Sequence, residues 1–374
     1  MKILPFEMER YQSLWENIVD YNLSESGVHP LQLNELISHD ELARLVELPL
    51  GYNQTNGSAE LRRLIAGFYS NAGKENVLVT SGSAEANFLN TLFLLEPNDE
   101  IALMLPNYMQ IWGLAKSLGA NIRPFHLKPN HTRWEIDWDE FDRAVTEKTK
   151  LIAVCHPNNP TGARLQEDEI ERILEKAASV GAWVLSDEVY RGSERDGNLS
   201  LSFYGSYDRV IVNGGLSKAF GLPGLRIGWV VAPPKLVDQL WGYKDYTTIS
   251  PNTLSDHIAQ IALQPEKREK IFQRTRSLIR KNFQILENWM GGKAGLFQWI
   301  PPEASAVTLV RHRLPVSSND FVTKLRDEKS VLIVPGEQFL MPADYLRFGF
   351  GTESENLTAA LDLVSEFIAE KFEK

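Results

Sequence analysis

Residues 76–95 read NVLVTSGSAEANFLNTLFLL, a short apolar run followed at once by a longer helical pattern. The run predicts a strand at 76–80, and the apolar face that follows predicts a helix at 83–95. The alternation continues along the chain, with further strands predicted at 100–105, 151–155, 182–186, 209–212 and 227–232. Because these strands are almost continuously apolar, we expect a mostly parallel sheet buried on both faces, in an α/β fold.

The pattern changes after about residue 265. A long charged helix is predicted at 267–289, and short strands and two helices follow it, as in a smaller α+β lobe. The first 40 residues lack a sheet pattern, and we expect them to pack on this lobe. The sequence therefore predicts a large domain at 41–274 and a small domain formed by 1–40 and 275–374.

Composition narrows the class of protein. The net charge is −10, which disfavours nucleic-acid binding, because such a protein needs a basic face. The single cysteine, Cys155, cannot form an internal disulfide, and no run approaches the ~18 apolar residues that span a bilayer. The scattered histidines and the absence of H-E-x-x-H and paired C-x-x-C favour no metal site. We predict a cytoplasmic protein that binds neither nucleic acid nor membrane.

Polar segments follow three of the predicted strands. The segment SGS at 81–83 opens a helix, where free backbone amides attract phosphate. The segment NPTG at 159–162 and the segment SDEVY at 186–190 lie at strand ends, outside which ligands bind in α/β sheets. Each segment alone is also typical of an ordinary helix cap or turn.

A fourth segment, GGLSKAFGLPGLRIG at 214–228, places Lys218 among glycines and apolar residues. A lysine in a poorly solvated position has a lowered pKa and becomes a nucleophile toward aldehydes. We expect Lys218 to be such a lysine rather than a solvated surface residue.

The ordered set S-G-S, N-P-T-G, D-E-V-Y and S-K-x-x-G-x-P-G-x-R resembles fold-type I pyridoxal-phosphate (PLP) enzymes, in particular the aspartate-aminotransferase-like class I aminotransferases. The resemblance extends from about residue 20 to residue 350. It implies a large PLP-binding domain, a smaller domain and bound pyridoxal 5'-phosphate. It also implies transfer of an amino group between an L-amino acid and a 2-oxo acid, in a homodimer with shared active sites.

The resemblance also assigns roles to residues. It implies that Lys218 forms the Schiff base with the cofactor, that Asp187 pairs with the pyridinium nitrogen, and that Tyr190 and Asn159 donate to the phenolic oxygen. Lys218, Asp187 and Tyr190 are thus the implied catalytic residues. Further cofactor contacts are implied for Ser81, Gly82, Ser83, Tyr108, Ser217 and Arg226, and for Tyr52 at the neighbouring subunit's phosphate.

Substrate binding is implied for three positions. Arg347 resembles the arginine that binds the substrate α-carboxylate, Asn159 is also implied to bind substrate, and Gly27 belongs to a loop that closes over the substrate. The chain departs from the pattern at Gly215, where many relatives carry a hydroxyl residue as a phosphate donor.

Two alternatives to amino transfer stay open. The stretch at 22–30, NLSESGVHP, resembles capreomycidine-synthase-like proteins, which favours another PLP reaction such as a β- or γ-elimination or a cyclisation. A non-catalytic ligand sensor, like the PLP-binding half of some transcription regulators, is disfavoured because the motifs begin near residue 20 and the charge is acidic.

Overall fold

The computed structural model describes residues 3–293 and 295–372. The strands in this part of the chain are β1 (Tyr21–Asn22), β2 (Val77–Thr80), β3 (Glu100–Leu105), β4 (Asn121–Pro129), β5 (Trp134–Ile136), β6 (Thr149–Cys155), β7 (Trp183–Asp187), β8 (Val210–Gly215), β9 (Gly228–Val231), β10 (Phe297–Trp299), β11 (Val307–His312), β12 (Val331–Leu332), β13 (Val334–Pro335) and β14 (Tyr345–Gly349).

The α-helices in the same residues are α1 (Glu7–Trp15), α2 (Leu33–Leu36), α3 (His39–Val46), α4 (Ala59–Ala66), α5 (Ser83–Leu94), α6 (Gln110–Leu118), α7 (Trp138–Ala144), α8 (Glu167–Val180), α9 (Pro234–Lys244), α10 (Thr253–Ala262), α11 (Pro265–Gly291), α12 (Ser318–Lys329) and α13 (Ser354–Phe372). Among these described helices, none combines the length and apolar character that crossing a membrane requires.

The large sheet has eight strands in the order β2-β9-β8-β7-β6-β3-β4-β5. Strands β3, β4, β6, β7 and β8 pair in parallel with one another, whereas β9 and β5 run the other way. Since β2 is antiparallel to β9, it points the same way as β8. The mostly parallel sheet and the α/β class are therefore confirmed.

Strands β2, β3 and β6 to β9 of the large sheet are buried on both faces, as the apolar runs predicted. Val79 and Val212 belong to the core on one face, while Leu78 and Ile211 belong to the core on the other. This alternation follows the two-residue period of a strand. Strands β4 and β5 were not predicted, because β4 has a polar sequence with many exposed positions and no apolar run.

A second core lies around the four-stranded antiparallel sheet, whose order is β10-β11-β14-β13. Helices α11, α12 and α13 pack there, and Leu23 and Val28 join them from the N-terminal segment. That segment also contributes β1, a two-residue strand that pairs in parallel with β12. No strand was expected in the first 40 residues, because two residues are too short to form a pattern. The division at residues 40 and 274 stays a prediction.

Candidate active site

The ends of five parallel strands place the predicted motifs together. Strands β2, β3, β6, β7 and β8 point the same way, so the segments that follow them meet at one edge of the sheet. A cleft of about 360 Å³ lies there. It is lined by eight of the residues expected to bind cofactor or substrate: Ser83, Tyr108, Asn159, Asp187, Tyr190, Ser217, Lys218 and Arg226.

Lys218 pairs with a carboxylate that the sequence motifs did not identify. Its Nζ lies 2.8 Å from Oε1 of Glu25, which comes from the loop after β1. Burial alone would lower the pKa of Lys218, but the negative charge of Glu25 outweighs it and the pKa lies above its usual value. The expectation of a lowered pKa was therefore wrong, because the lysine is desolvated together with a counter-charge.

Asp187 lies at the end of β7 and is buried. Asn87 of α5 donates from Nδ2 to Asp187 Oδ2 at 3.0 Å, and Asn213 in turn donates to Asn87 Oδ1 at 2.7 Å. Burial raises the pKa of Asp187, although the hydrogen bond from Asn87 opposes this effect. A buried carboxylate at the floor of a cleft favours a ligand that brings a positive charge to it.

Tyr190 and Asn159 face the same cleft as Asp187. Burial raises the pKa of Tyr190 to about 12, so its hydroxyl keeps its proton at neutral pH and can donate. The amide oxygen of Asn159 accepts from Arg347 Nη1 at 3.1 Å, which leaves the NH₂ of that amide as a donor. Two neutral donors therefore lie beside Lys218.

Arg347 and Gly27 do not line this cleft but lie directly behind its wall. Arg347 is fully buried on β14, where it also donates to the carbonyl oxygen of Ser24. Among the described residues its Nε finds no hydrogen-bond partner. A side chain on Gly27 would contact the aliphatic part of Lys218, so this loop packs tightly against the lysine.

The backbone amides at the start of α5 and the guanidinium of Arg226 together form a cradle. Gly82 has φ 81°, a conformation that favours glycine, and any side chain there would collide with the guanidinium of Arg226. Arg226 Nη1 also lies 3.3 Å from Ser217 Oγ. The backbone N–H of Ser81 is occupied, since it donates to Glu85 Oε2 at 2.6 Å. The helix start and Arg226 together suit an anionic group.

Tyr52 is not brought to the cleft. Its side chain is 90% exposed on the segment between α3 and α4. Within one chain the structure therefore separates Tyr52 from the residues with which the resemblance groups it.

Helix α1 forms a wall of the cleft that the sequence motifs missed. Glu9, Gln12 and Glu16 line the cleft from this helix, and Tyr108 donates its hydroxyl proton to Glu9 Oε1 at 2.8 Å. Helix α1 has no family motif, and its position depends on tertiary packing, since Met8 is buried against Val334 and Phe339. Glu25 belongs to the stretch at 22–30 that resembles capreomycidine-synthase-like proteins, but nothing in its local sequence indicated a contact with Lys218.

Comparison with known proteins places the chain in a family. The model of "Aminotransferase class I and II" matches residues 47–364. The chain belongs to this family of aminotransferases. It is similar to a capreomycidine synthase of Streptomyces vinaceus, with 30% identity over 92% of this chain and 89% of that protein. It is also similar to an aspartate aminotransferase of Sulfurisphaera tokodaii, with 28% identity over 85% of this chain and 82% of that protein.

A solved structure gives the same result. A PLP-dependent aminotransferase from Streptococcus suis superposes with a TM-score of 0.92 and 32% identity, covering 99% of each chain. The predicted family and fold are thereby confirmed, and the aminotransferase is a PLP-dependent enzyme. The residues of the cleft fit this cofactor. The cradle suits its phosphate, Asp187 suits its ring nitrogen, and Lys218 suits its aldehyde.

Gly215, where the chain departs from the family pattern, lies close to the backbone at the start of β9. A Cβ added there would lie 3.3 Å from the carbonyl oxygen of Ile227 and 3.4 Å from Gly228 Cα. Strand β9 therefore packs closely against this point, and a Cβ on Gly215 would require its neighbours to shift by a few tenths of an ångström.

We expect Gly228→Ala to weaken PLP binding at least ~10-fold, which corresponds to a loss of about 1.4 kcal/mol of binding free energy. The new methyl group would collide with the backbone of Gly82 and Ser83, and so displace the phosphate cradle. Gly224→Ala is the matched control, since a Cβ there meets nothing within 4 Å. Equilibrium dialysis against PLP measures both variants. Equal affinity of Gly228→Ala and wild type would contradict the assigned cradle.

Stability of the aminotransferase should depend on Glu188. Burial raises the pKa of Glu188 from 4.5 to about 7, against the opposing charge of Arg191. The folded protein thus holds this proton more tightly than the unfolded chain. The resulting stabilisation is complete below the unfolded pKa and is lost as pH rises through the folded one.

We therefore expect Glu188→Gln to reduce the loss of unfolding free energy between about pH 5 and pH 8 by on the order of 2 kcal/mol. Urea unfolding of the two proteins at both pH values measures this effect. Glu175→Gln, an exposed position on α8, serves as the control. Parallel pH profiles for Glu188→Gln and wild type would contradict the prediction.

Proposed function

We propose that this aminotransferase moves the amino group of an L-amino acid to a 2-oxo acid in the cleft described above, with Lys218 as the cofactor-bearing lysine. The proposal is supported by one observation above all. Lys218 comes from one segment of the sequence and Asp187 and Tyr190 from another, and all three line a single cleft at the carboxyl edge of a mostly parallel sheet.

The cofactor and the side chains of the cleft would supply different parts of the chemistry. When bound, PLP acts as an electron sink for the bonds of the substrate α-carbon. Asp187 would place a negative charge at the ring nitrogen and so favour a proton there. Tyr190 and Asn159 would donate hydrogen bonds to the phenolic oxygen. Lys218 would hold the cofactor through Nζ, and as a free amine its Nζ would accept and return the proton of the substrate α-carbon.

Arg347 orients the substrate in this proposal. Its planar guanidinium is fixed by Asn159 and by the carbonyl oxygen of Ser24, so little side-chain entropy remains to be lost. A carboxylate that satisfies its free Nε would gain a charge-assisted hydrogen bond in a buried position. The resemblance assigns binding of the α-carboxylate to Arg347, which lies behind the cleft wall beside Asn159, and assigns closure over the substrate to the loop of Gly27.

An acceptor-dependence assay tests the reaction. The purified holoenzyme is incubated with L-amino acids, with and without a mixture of 2-oxo acids, and new amino acids and ammonia are measured. Formation of a new amino acid only when acceptor is present supports the proposal. Release of ammonia, or of a cyclised product, without acceptor would support a lyase or cyclase. Similarity to the capreomycidine synthase favours that second candidate.

We further propose that the active unit is a homodimer in which each chain gives Tyr52 to the other's phosphate site. Support comes from exposed apolar side chains near Tyr52 in sequence: Val46 at the end of α3 is 79% exposed and Leu50 is 77% exposed. Large exposed apolar groups close together are typical of an interface. Light scattering on the purified protein measures the oligomeric state.

Mixed dimers would show whether sites are shared. Lys218→Ala and Tyr52→Ala are unfolded together and refolded as a mixture. Half of randomly formed dimers would be mixed, and each would hold one intact site, so about a quarter of wild-type activity is expected. Activity no greater than the average of the two separate variants would contradict shared sites.

We also propose a cytoplasmic location. The single cysteine, Cys155, is free and buried, as suits a reducing compartment. Cell fractionation followed by detection of the native protein tests this location, and recovery in a secreted fraction would contradict it.

A further inference from the structure

Glu25 presents a carboxylate to the amine of Lys218. Oε1 of Glu25 lies 2.8 Å from Lys218 Nζ, and the same oxygen accepts the backbone N–H groups of Ser26 at 2.9 Å and Gly27 at 2.7 Å. Both side chains face the cleft, where 25% of the lysine and 48% of the glutamate side chain is accessible. Two backbone amides thus orient the charge of Glu25 toward the lysine.

The loop that carries Glu25 is fixed by the small sheet. Gly349 N–H donates to the carbonyl oxygen of Leu23 at 2.7 Å, and His29 N–H donates to that of Gly351 at 2.6 Å. Side chains on Gly349 or Gly351 would collide with the backbone of this loop. Strand β14 therefore positions Glu25, so the contact joins the small lobe to the lysine of the large sheet.

Other charged groups surround the pair. Glu9 and Glu16 face it from α1, and Asp187 and Tyr190 face Lys218 from the end of β7. Arg347 faces Glu25 from β14, on the side of the small lobe.

These groups keep Glu25 and Lys218 oppositely charged. Partial desolvation in the cleft would raise the pKa of Glu25, but the charge and hydrogen bond of Lys218 hold it at about 2. Glu9 accepts from Tyr108, so its carboxylate is already engaged. Glu25 is the carboxylate in hydrogen-bond contact with Lys218 Nζ within the described residues.

We propose that Glu25 is a further catalytic residue and acts as the counter-ion of the Lys218 nitrogen. In the free lysine it stabilises the ammonium. With the cofactor bound to the lysine, Glu25 would keep the proton on the same nitrogen, which is the state that an incoming amine attacks most readily. The donors Tyr190 and Asn159 favour loss of this proton, and Glu25 opposes them. The inference rests on the proposed role of Lys218.

The holoenzyme provides the first readout. Glu25→Gln keeps an amide oxygen for the backbone donors of Ser26 and Gly27 but removes the charge. The visible band of the lysine-linked cofactor is titrated with pH, and its midpoint is expected to fall by about 1 pH unit or more. Glu16→Gln is the matched control, because it removes a charge from the same cleft without a hydrogen bond to Lys218. Its midpoint is expected to fall by less than half as much.

The apoprotein provides a readout that does not depend on turnover or on PLP. The rate at which trinitrobenzenesulfonate modifies Lys218 is followed by peptide mapping at about pH 8. Since the neutral amine is the reactive form, Glu25→Gln is expected to speed modification about 10-fold over wild type. Unchanged labelling and an unchanged band midpoint would overturn the inference, as would equal shifts in Glu16→Gln.

The two proposals fail in different ways. If wild type turned over no amino acid while labelling of Lys218 still depended on Glu25, the proposed function would be wrong, whereas the pairing of Glu25 with the Lys218 nitrogen would be supported. If turnover were normal and labelling did not depend on Glu25, only the proposed role of Glu25 would be wrong.

Discussion

Lys218→Ala is expected to abolish turnover and the visible band of the lysine-linked cofactor, while leaving the fold intact. The change removes the amine that bonds to the cofactor and that moves the substrate proton. Removing both functions predicts a loss of at least ~10⁴-fold in kcat, since positioned proton transfer alone contributes 10²–10⁴-fold. Steady-state assays and absorbance measure the loss, and far-ultraviolet circular dichroism checks the fold.

Lys218→Arg serves as the control for the effect of charge. It keeps a positive group beside Glu25, but a guanidinium stays protonated and cannot form the bond. Both variants should therefore be equally inactive, and Lys218→Arg should be the more stable of the two. Turnover within tenfold of wild type in either variant would contradict the assignment of Lys218.

Asp187→Asn is expected to lower kcat/KM by ~100-fold or more, because the change removes the counter-charge of the protonated ring nitrogen. Each unit by which the pKa of the ring nitrogen falls corresponds to about 1.4 kcal/mol. The asparagine keeps the size of the side chain and a contact with Asn87. Loss of activity would therefore reflect charge rather than packing. Kinetics across a pH range measure the effect.

Asn87→Leu tests the support for Asp187. Asn87 bridges Asp187 and Asn213 by hydrogen bonds of 3.0 and 2.7 Å. Its loss is expected to weaken activity far less than Asp187→Asn, because the carboxylate remains. If Asp187→Asn kept wild-type kcat/KM, the proposed electron-sink role of Asp187 would be wrong.

The sequence was sufficient for the architecture because apolar runs report burial directly. The strands that became β2, β3 and β6 to β9 were predicted close to their observed bounds. Strand β4 was missed since its exposed, polar positions carry no such signal. Strand β1 is two residues long, and its pairing with β12 depends on tertiary contact alone.

The residues of the candidate site were likewise predicted only in part. Lys218, Asp187, Tyr190 and Asn159 lie at strand ends in recognisable motifs, and the structure brings them to one cleft. Glu25 and the carboxylates of α1 could not be found, because contact between distant segments decides their role. The same contact reversed the expected direction of the Lys218 pKa.

The central claim is that this cleft holds PLP on Lys218 and uses it on amino acids. The most direct test is the absorbance spectrum of the purified protein, before and after addition of a mixture of L-amino acids. We expect a band at ~400–430 nm that shifts to ~330 nm when amino acid is added. Absence of this band, even after incubation with PLP, would contradict the assignment of Lys218 as the cofactor-bearing lysine.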